Sequence, residues 1–289
     1  MKNLHLKAII ITAMGVLLMS LESLLIKLTS IEALTFSFYV GIFMFLSLNL
    51  FLFSKKQKKI IQTYKSSLLP ILVCGGLFGI SNIFFISAIK TTTVANTVMI
   101  LASAPLFSSL YSYLFYKEKS KKNIFIASFF IFIGLFIIFS SQLGKGDFIG
   151  NIYAIICTNL FSLSFVILAK YKEANRLAIA AFAGFASTFG SLLFASSFAI
   201  DLYTLGILLI AGIMVSPISR VLMGLGTKNL PASEVSLLMI IETIMAPIWV
   251  WIFLQEIPAQ STFVGGGIIL LTLILNSIYL LKVNKNKTI

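Results

Sequence analysis

The chain of 289 residues is 59% hydrophobic and 11% charged, with a mean hydropathy of +1.04, whereas soluble domains carry roughly a quarter charged residues. This excludes a soluble fold. The formal net charge of +13 does not point to nucleic acid, because the lysines sit in short clusters between apolar runs rather than on one contiguous face.

Runs of roughly twenty apolar residues, the length that crosses a bilayer core, predict helices over 8–28, 33–53, 68–88, 94–116, 123–141, 149–169, 177–198, 205–225, 232–254 and 262–281. The expected class is all-α, a polytopic membrane protein of ten transmembrane helices. The first run carries Glu22 and Lys27 near its end and lacks a small-residue cleavage site, so it reads as a retained span rather than a signal peptide. Connections such as 29–32 and 201–204 are too short for any domain. Cys74 and Cys157 lie inside apolar runs without metal-type spacing and read as small buried hydrophobes.

Lys and Arg in short loops mark the cytoplasmic side. With the N-terminus inside, eighteen of the 22 basic residues fall in inner segments and two, Lys90 and Lys145, in outer loops, while Lys27 and Arg220 lie within helices. Both termini are therefore expected in the cytoplasm, which requires an even number of spans.

Aligned with itself at an offset of 138, the chain brings Ala88-Ile89-Lys90-Thr91 over Gly226-Thr227-Lys228-Asn229, and Tyr116-Lys117-Glu118 over Leu254-Gln255-Glu256. At an offset of 143, Lys27 falls on Lys170 and Gly41 on Gly184. Two five-helix units, 1–146 and 147–289, are expected; an odd number of spans per unit inserts the second upside down relative to the first, the architecture of inverted-repeat transporters.

These features carry a resemblance. The five-plus-five layout, the run Ala88-Ile-Lys-Thr-Thr-Thr-Val-Ala-Asn-Thr, the Ala104-Pro105 pair with Glu118 thirteen residues after the proline, and Ile241-Glu242-Thr243 with Glu256 thirteen residues after the threonine resemble the drug/metabolite transporter superfamily, in particular its EamA-type bacterial members. The family commonly has Glu-Pro where this chain has Glu242-Thr243, and an Arg in the second helix where this chain has Phe38-Tyr39. The resemblance implies a secondary transporter of the bacterial inner membrane with a central cavity lined by helices one, three, four, six, eight and nine, helices five and ten lying at the periphery. It implies a small-molecule substrate and no cofactor or ATP, in agreement with the lack of a GxxxxGK[ST] loop.

Ionisable groups inside a bilayer are costly and face a cavity or a partner, so Glu242, Glu22 and Arg220 are the first site candidates. Glu242 lies about ten residues, or about 15 Å, into helix nine, near the midplane. Glu22 either binds a substrate amine or a coupling proton, or partners Lys27; Arg220 either grips a carboxylate or phosphate side-on, or neutralises Glu242. Asn82 hydrogen-bonds a ligand or joins helices, and Phe78 and Trp249 are candidate cavity walls. Lys27 is expected to snorkel to the outer interface, and Glu118 and Glu256 to cap the helices that follow them. Pro105, Pro217 and Pro247 are expected to interrupt helices, lining a cavity, forming hinges or kinking harmlessly.

The sole histidine, His5, lies outside the predicted spans, and no HExxH or Gly-x-Ser-x-Gly arrangement offers a metal site or nucleophile, so an enzyme is not expected. A passive channel or structural membrane protein is the alternative to a carrier. Two acidic and one or two basic groups in the membrane suit an amino acid or related zwitterionic or cationic metabolite better than a polyanion, and the resemblance implies export. A proton is the candidate coupling ion, the lipid bilayer is the other partner, and oligomeric state is not specified by the sequence.

Overall fold

The computed structural model describes residues 2–54, 64–65, 67–117, 122–140, 147–226 and 232–285. Ten helices and no strand occur among them: α1 (Lys2–Lys27), α2 (Ala33–Ser54), α3 (68–91), α4 (94–116), α5 (Lys122–Ser140), α6 (Asp147–Lys170), α7 (Arg176–Leu192), α8 (202–226), α9 (Ala232–Leu254) and α10 (Gln260–Lys285). Six of them, α1, α2, α3, α4, α6 and α8, are long and apolar enough to cross a membrane; the apolar stretches described in the other four are shorter. Large apolar side chains such as Leu50, Phe136 and Leu275 stand exposed on the outside of the bundle, as lipid contact requires and water does not favour.

Close helix approach comes from small residues. Where α2 crosses α7, a Cβ on Gly41 would lie 2.7 Å from the Gly184 carbonyl oxygen, and one on Gly184 would lie 2.6 Å from that of Gly41. Gly134 and Gly265 meet in the same reciprocal way where α5 crosses α10. The inner packing is formed by α1 against α8 and α9, α3 against α6 and α7, and α4 against α6 and α9, while α5 and α10 pair mainly with each other.

Two helices contain a widened π segment: Ile71–Gly75 in α3 and Ile210–Val215 in α8. Lys117 and Gln255 close α4 and α9 in the left-handed region, at φ 55° and 56°. Each donates its N–H at 3.0 Å to a carbonyl one turn earlier, Tyr113 and Trp251 respectively.

Two sequence expectations are corrected, the end of α7 and a break at Pro247. Helix α7 ends at Leu192 rather than 198, although the chain stays apolar, because the next segment is held on the end of α2: Glu32 accepts the Ser196 N–H at 3.1 Å, and Thr35 and Tyr39 donate to the Ser197 and Phe198 carbonyls. The connection to α8 is therefore the stretch 193–201, ending at Asp201, whose carboxylate caps α8. Helix α4 is not continuous: Val94–Leu101 gives way at Ala102-Ser103 to Ala104–Tyr116, with Pro105 in the first turn of the new segment. Conversely, α9 runs through Pro247 without a break. Pro217 lies just after the π segment of α8. Glu118 and the 141–146 junction between the two proposed units lie outside the described residues.

Candidate functional site: buried charges below a closed end

Glu22 of α1 and Glu242 of α9 are both buried, at 1% and 4% exposure. A buried carboxylate requires a hydrogen-bond donor or a cation, and α8 supplies both to Glu22. Ser216 donates its hydroxyl to Oε1 at 2.9 Å, and Nη2 of Arg220 lies 3.9 Å from the same oxygen. Ser216 and Arg220 are four residues apart, so one helix face presents both. Arg220 therefore faces Glu22, and the carboxylate is not the partner of Lys27. Glu242 stands close enough to Glu22 and Arg220 to interact with both electrostatically, and it lines a small void with Val98, Leu101 and Ala102 at the break in α4.

Around this group several buried polar atoms have no protein partner: Ser23 Oγ on α1, Asn82 Oδ1 on α3 and Nε of Arg220 on α8. Such atoms are few in native proteins and each demands an explanation, a ligand among them. Of the neighbouring Ser81-Asn82 pair, Ser81 makes the helix-joining bond, donating to the Cys157 carbonyl at 3.1 Å, which leaves the Asn82 carbonyl unused.

A cavity of about 70 Å³ adjoins the cluster. Met19, Phe78, Phe161, Phe165 and Met223 give it an apolar wall, and Arg220 and Arg176 its two cations. Phe78, Phe161 and Phe165 contact one another edge to face, with centroids 4.7–5.6 Å apart. Phe78 thus lines a cavity. Trp249 donates its indole N–H to Ser20 at 3.0 Å and packs against the core. Helix α7 contributes to the lining through Arg176, whereas the expected lining by α4 and α9 is confined to the void beside Glu242.

The end of the bundle where α1, α3 and α9 finish is closed by a polar network. Lys27 Nζ pairs with Glu256 at 2.9 Å and donates to the Thr92 carbonyl at 2.9 Å; Glu256 accepts the Val94 N–H at 2.9 Å. Lys90 donates to the carbonyl and hydroxyl of Thr29, and Thr262 bonds Asn96. Glu256 therefore caps α4, earlier in the chain, rather than α10, and Lys27 is tied across the bundle rather than snorkelling outward. Sequence reasoning missed Ser216, Arg176, Phe161, Phe165 and the Lys27–Glu256 pair. The four-residue spacing from Ser216 to Arg220 was the one readable signal.

Comparison with known proteins follows the same direction. Residues 6–140 match the EamA-like transporter family. A Bacillus subtilis protein described as an uncharacterized transporter, YdfC, is 25% identical over 187 residues, spanning 61% of this chain and 60% of its own. A solved crystal structure of a protein shares the fold at a TM-score of 0.69 and 16% identity, over 94% of this chain and 98% of the other. Its six long apolar helices, together with the match to the EamA-like family, make the chain a multi-pass membrane protein.

Proposed function

We propose that this protein is a secondary transporter that moves a small metabolite, an amino acid or a related zwitterionic or cationic compound, across a bacterial inner membrane by alternating access, in the export direction. In this reading the ten helices are ten spans, both termini are cytoplasmic, and the units 1–146 and 147–289 are inverted repeats. The left-handed residues Lys117 and Gln255, 138 positions apart, support the repeat, as do the paired π segments and the reciprocal Gly41–Gly184 crossing.

The observation that carries the proposal is asymmetry along the membrane normal. One end is sealed by Lys27, Glu256 and Lys90, while the buried Glu22–Arg220 pair adjoins a cavity that continues to Arg176 at the opposite end of α6 and α7. A carrier exposes its site to one side at a time; a channel needs a continuous path.

Flux of labelled metabolites into proteoliposomes tests this. Saturable counterflow that disappears in Glu242→Gln, with the variant still monodisperse, is expected. Non-saturating flux, or flux unaffected by Glu242→Gln, refutes it.

A further inference from the structure

Arginine presents two edges to an anion, and the arrangement around Arg220 leaves one of them unused. Nη2 lies 3.9 Å from Glu22 Oε1, beyond hydrogen-bond range, and that oxygen already accepts the Ser216 hydroxyl. Nε is buried without a partner. Arg176, at the other end of the same cavity, repeats the pattern: its terminal nitrogens donate to the carbonyls of Tyr171 and Leu168, and its Nε is likewise buried and unpartnered. Two guanidinium groups, each with an unpartnered side edge, thus line one cavity whose remaining wall is apolar, with Phe78, Phe161, Phe165 and two methionines in it.

We propose that Arg220 is the anchor for a substrate carboxylate, taken side-on by Nε–H and Nη2–H, and that the phenylalanine wall receives a short apolar tail. This rests on the transporter reading and narrows its substrate to compact zwitterions that carry one carboxylate and a short apolar tail, with simple monocarboxylates as probes of the anchor. Side-on binding gives two parallel charge-assisted hydrogen bonds, which lysine cannot reproduce. The size limit comes from volume: the cavity is about 70 Å³, about half of the ~150 Å³ that admits a benzene, so a tail of two or three carbons fits and a ring does not. The charge limit comes from Glu22 beside Arg220, which offsets one of the two arginines and leaves the cavity suited to one negative charge rather than a phosphate dianion.

The test is ligand-induced thermal stabilisation of the purified full-length protein in detergent, titrated with acetate, propionate, butyrate, benzoate, propionamide, propylamine and inorganic phosphate, butyrate being expected to bind more tightly than acetate. Ligands that bind only the folded state raise its Tm. Propionate and butyrate are expected to stabilise, with propionamide, propylamine, phosphate and benzoate at least about tenfold weaker. Arg220→Lys, judged by its response to propionate rather than by its starting Tm, is expected to lose about tenfold in apparent affinity. Should that variant not fold, Phe161→Ala serves instead, and is expected to erase the preference of butyrate over acetate. Equal stabilisation by propionamide or phosphate, an unchanged propionate response in Arg220→Lys, or no response to any carboxylate overturns the proposal. Carboxylate binding without flux would refute the transporter reading alone, whereas flux of another solute without carboxylate binding would refute this assignment alone.

Discussion

Neutralising Glu256 should loosen the sealed end by a calculable amount. The Lys27–Glu256 pair has its charges 2.9 Å apart, with side chains 21% and 23% exposed. At an effective dielectric of about 20 the Coulomb attraction is roughly 6 kcal/mol, and desolvation and ordering offset most of it, leaving about 1–2 kcal/mol, above the usual 0.2–1 of open surface pairs. Glu256→Gln removes the charge and keeps an oxygen for the Val94 N–H, so the ion pair alone is lost. A change of 1–2 kcal/mol shifts the closed-to-open ratio by about 5- to 30-fold. The readout is labelling by a membrane-impermeant maleimide of Ala246→Cys, a fully buried position ten residues before Glu256 on α9, in a Cys74→Ser/Cys157→Ser background. Labelling from the Lys27 side should accelerate by that factor in Glu256→Gln and in Lys27→Gln, and the reversed pair Lys27→Glu/Glu256→Lys should return it towards the original rate. Unchanged labelling in both single variants would refute the idea that this pair holds the end shut.

Gly41→Ala should destabilise by about 1–3 kcal/mol, the range for overpacking, because the new Cβ would meet the Gly184 carbonyl and the Thr188 amide, main-chain atoms that cannot rotate away. Gly76→Ala, with open space at its Cβ, is the control and should be neutral or slightly stabilising in the same thermal melt. At the start of α8, hydrogen bonding from Thr204 and neighbouring backbone N–H groups holds the Asp201 carboxyl below the usual carboxylate range. A carboxyl with a depressed pKa stabilises the fold above its unfolded value and loses that contribution as pH falls through the folded value. The Tm advantage of the native protein over Asp201→Asn should therefore shrink on acidification below the ordinary carboxylate range; a pH-independent difference would contradict the assignment.

What the sequence made legible follows from the scale of each interaction. Each of the ten apolar runs coincides with a helix, because hydropathy over about twenty residues is decided locally. The end of α7 was not legible: residues 193–198 are apolar enough to continue, and only Glu32, Thr35 and Tyr39, some 160 residues earlier, take them out of the helix. The buried charges stood out individually, since Glu22, Arg220 and Glu242 are expensive wherever they lie. Their pairing did not. Lys27 and Glu22 are five residues apart on one helix, which made them plausible partners, yet each turns to another helix, Lys27 to the start of α4 and the end of α9, Glu22 to α8. Which of several acidic groups a cation reaches is a tertiary fact, and one-dimensional spacing carries it only when both groups share a helix face, as Ser216 and Arg220 do.

The π segments connect that local geometry to the site. A π turn carries an extra residue, so everything after it is rotated about the helix axis relative to a continuous α-helix, by about 100° per inserted residue. In α8 the segment ends at Val215, and the next residues are Ser216 and Arg220, the two that face Glu22. In α3 it ends at Gly75, and the next turns carry Phe78 and Asn82, the cavity wall and the unpartnered carbonyl. Within the segments Leu72 and Ile213 stand exposed, whereas Asn82, ten residues on, and Ser216, three residues on, are buried. Pro70 and Pro217 bracket the two widened stretches from opposite sides, at the start in α3 and just after the end in α8, where a missing N–H is least costly beside an already irregular ladder. In both helices the polar residues of the site thus follow directly on a backbone irregularity that resets which face of the helix is turned inward.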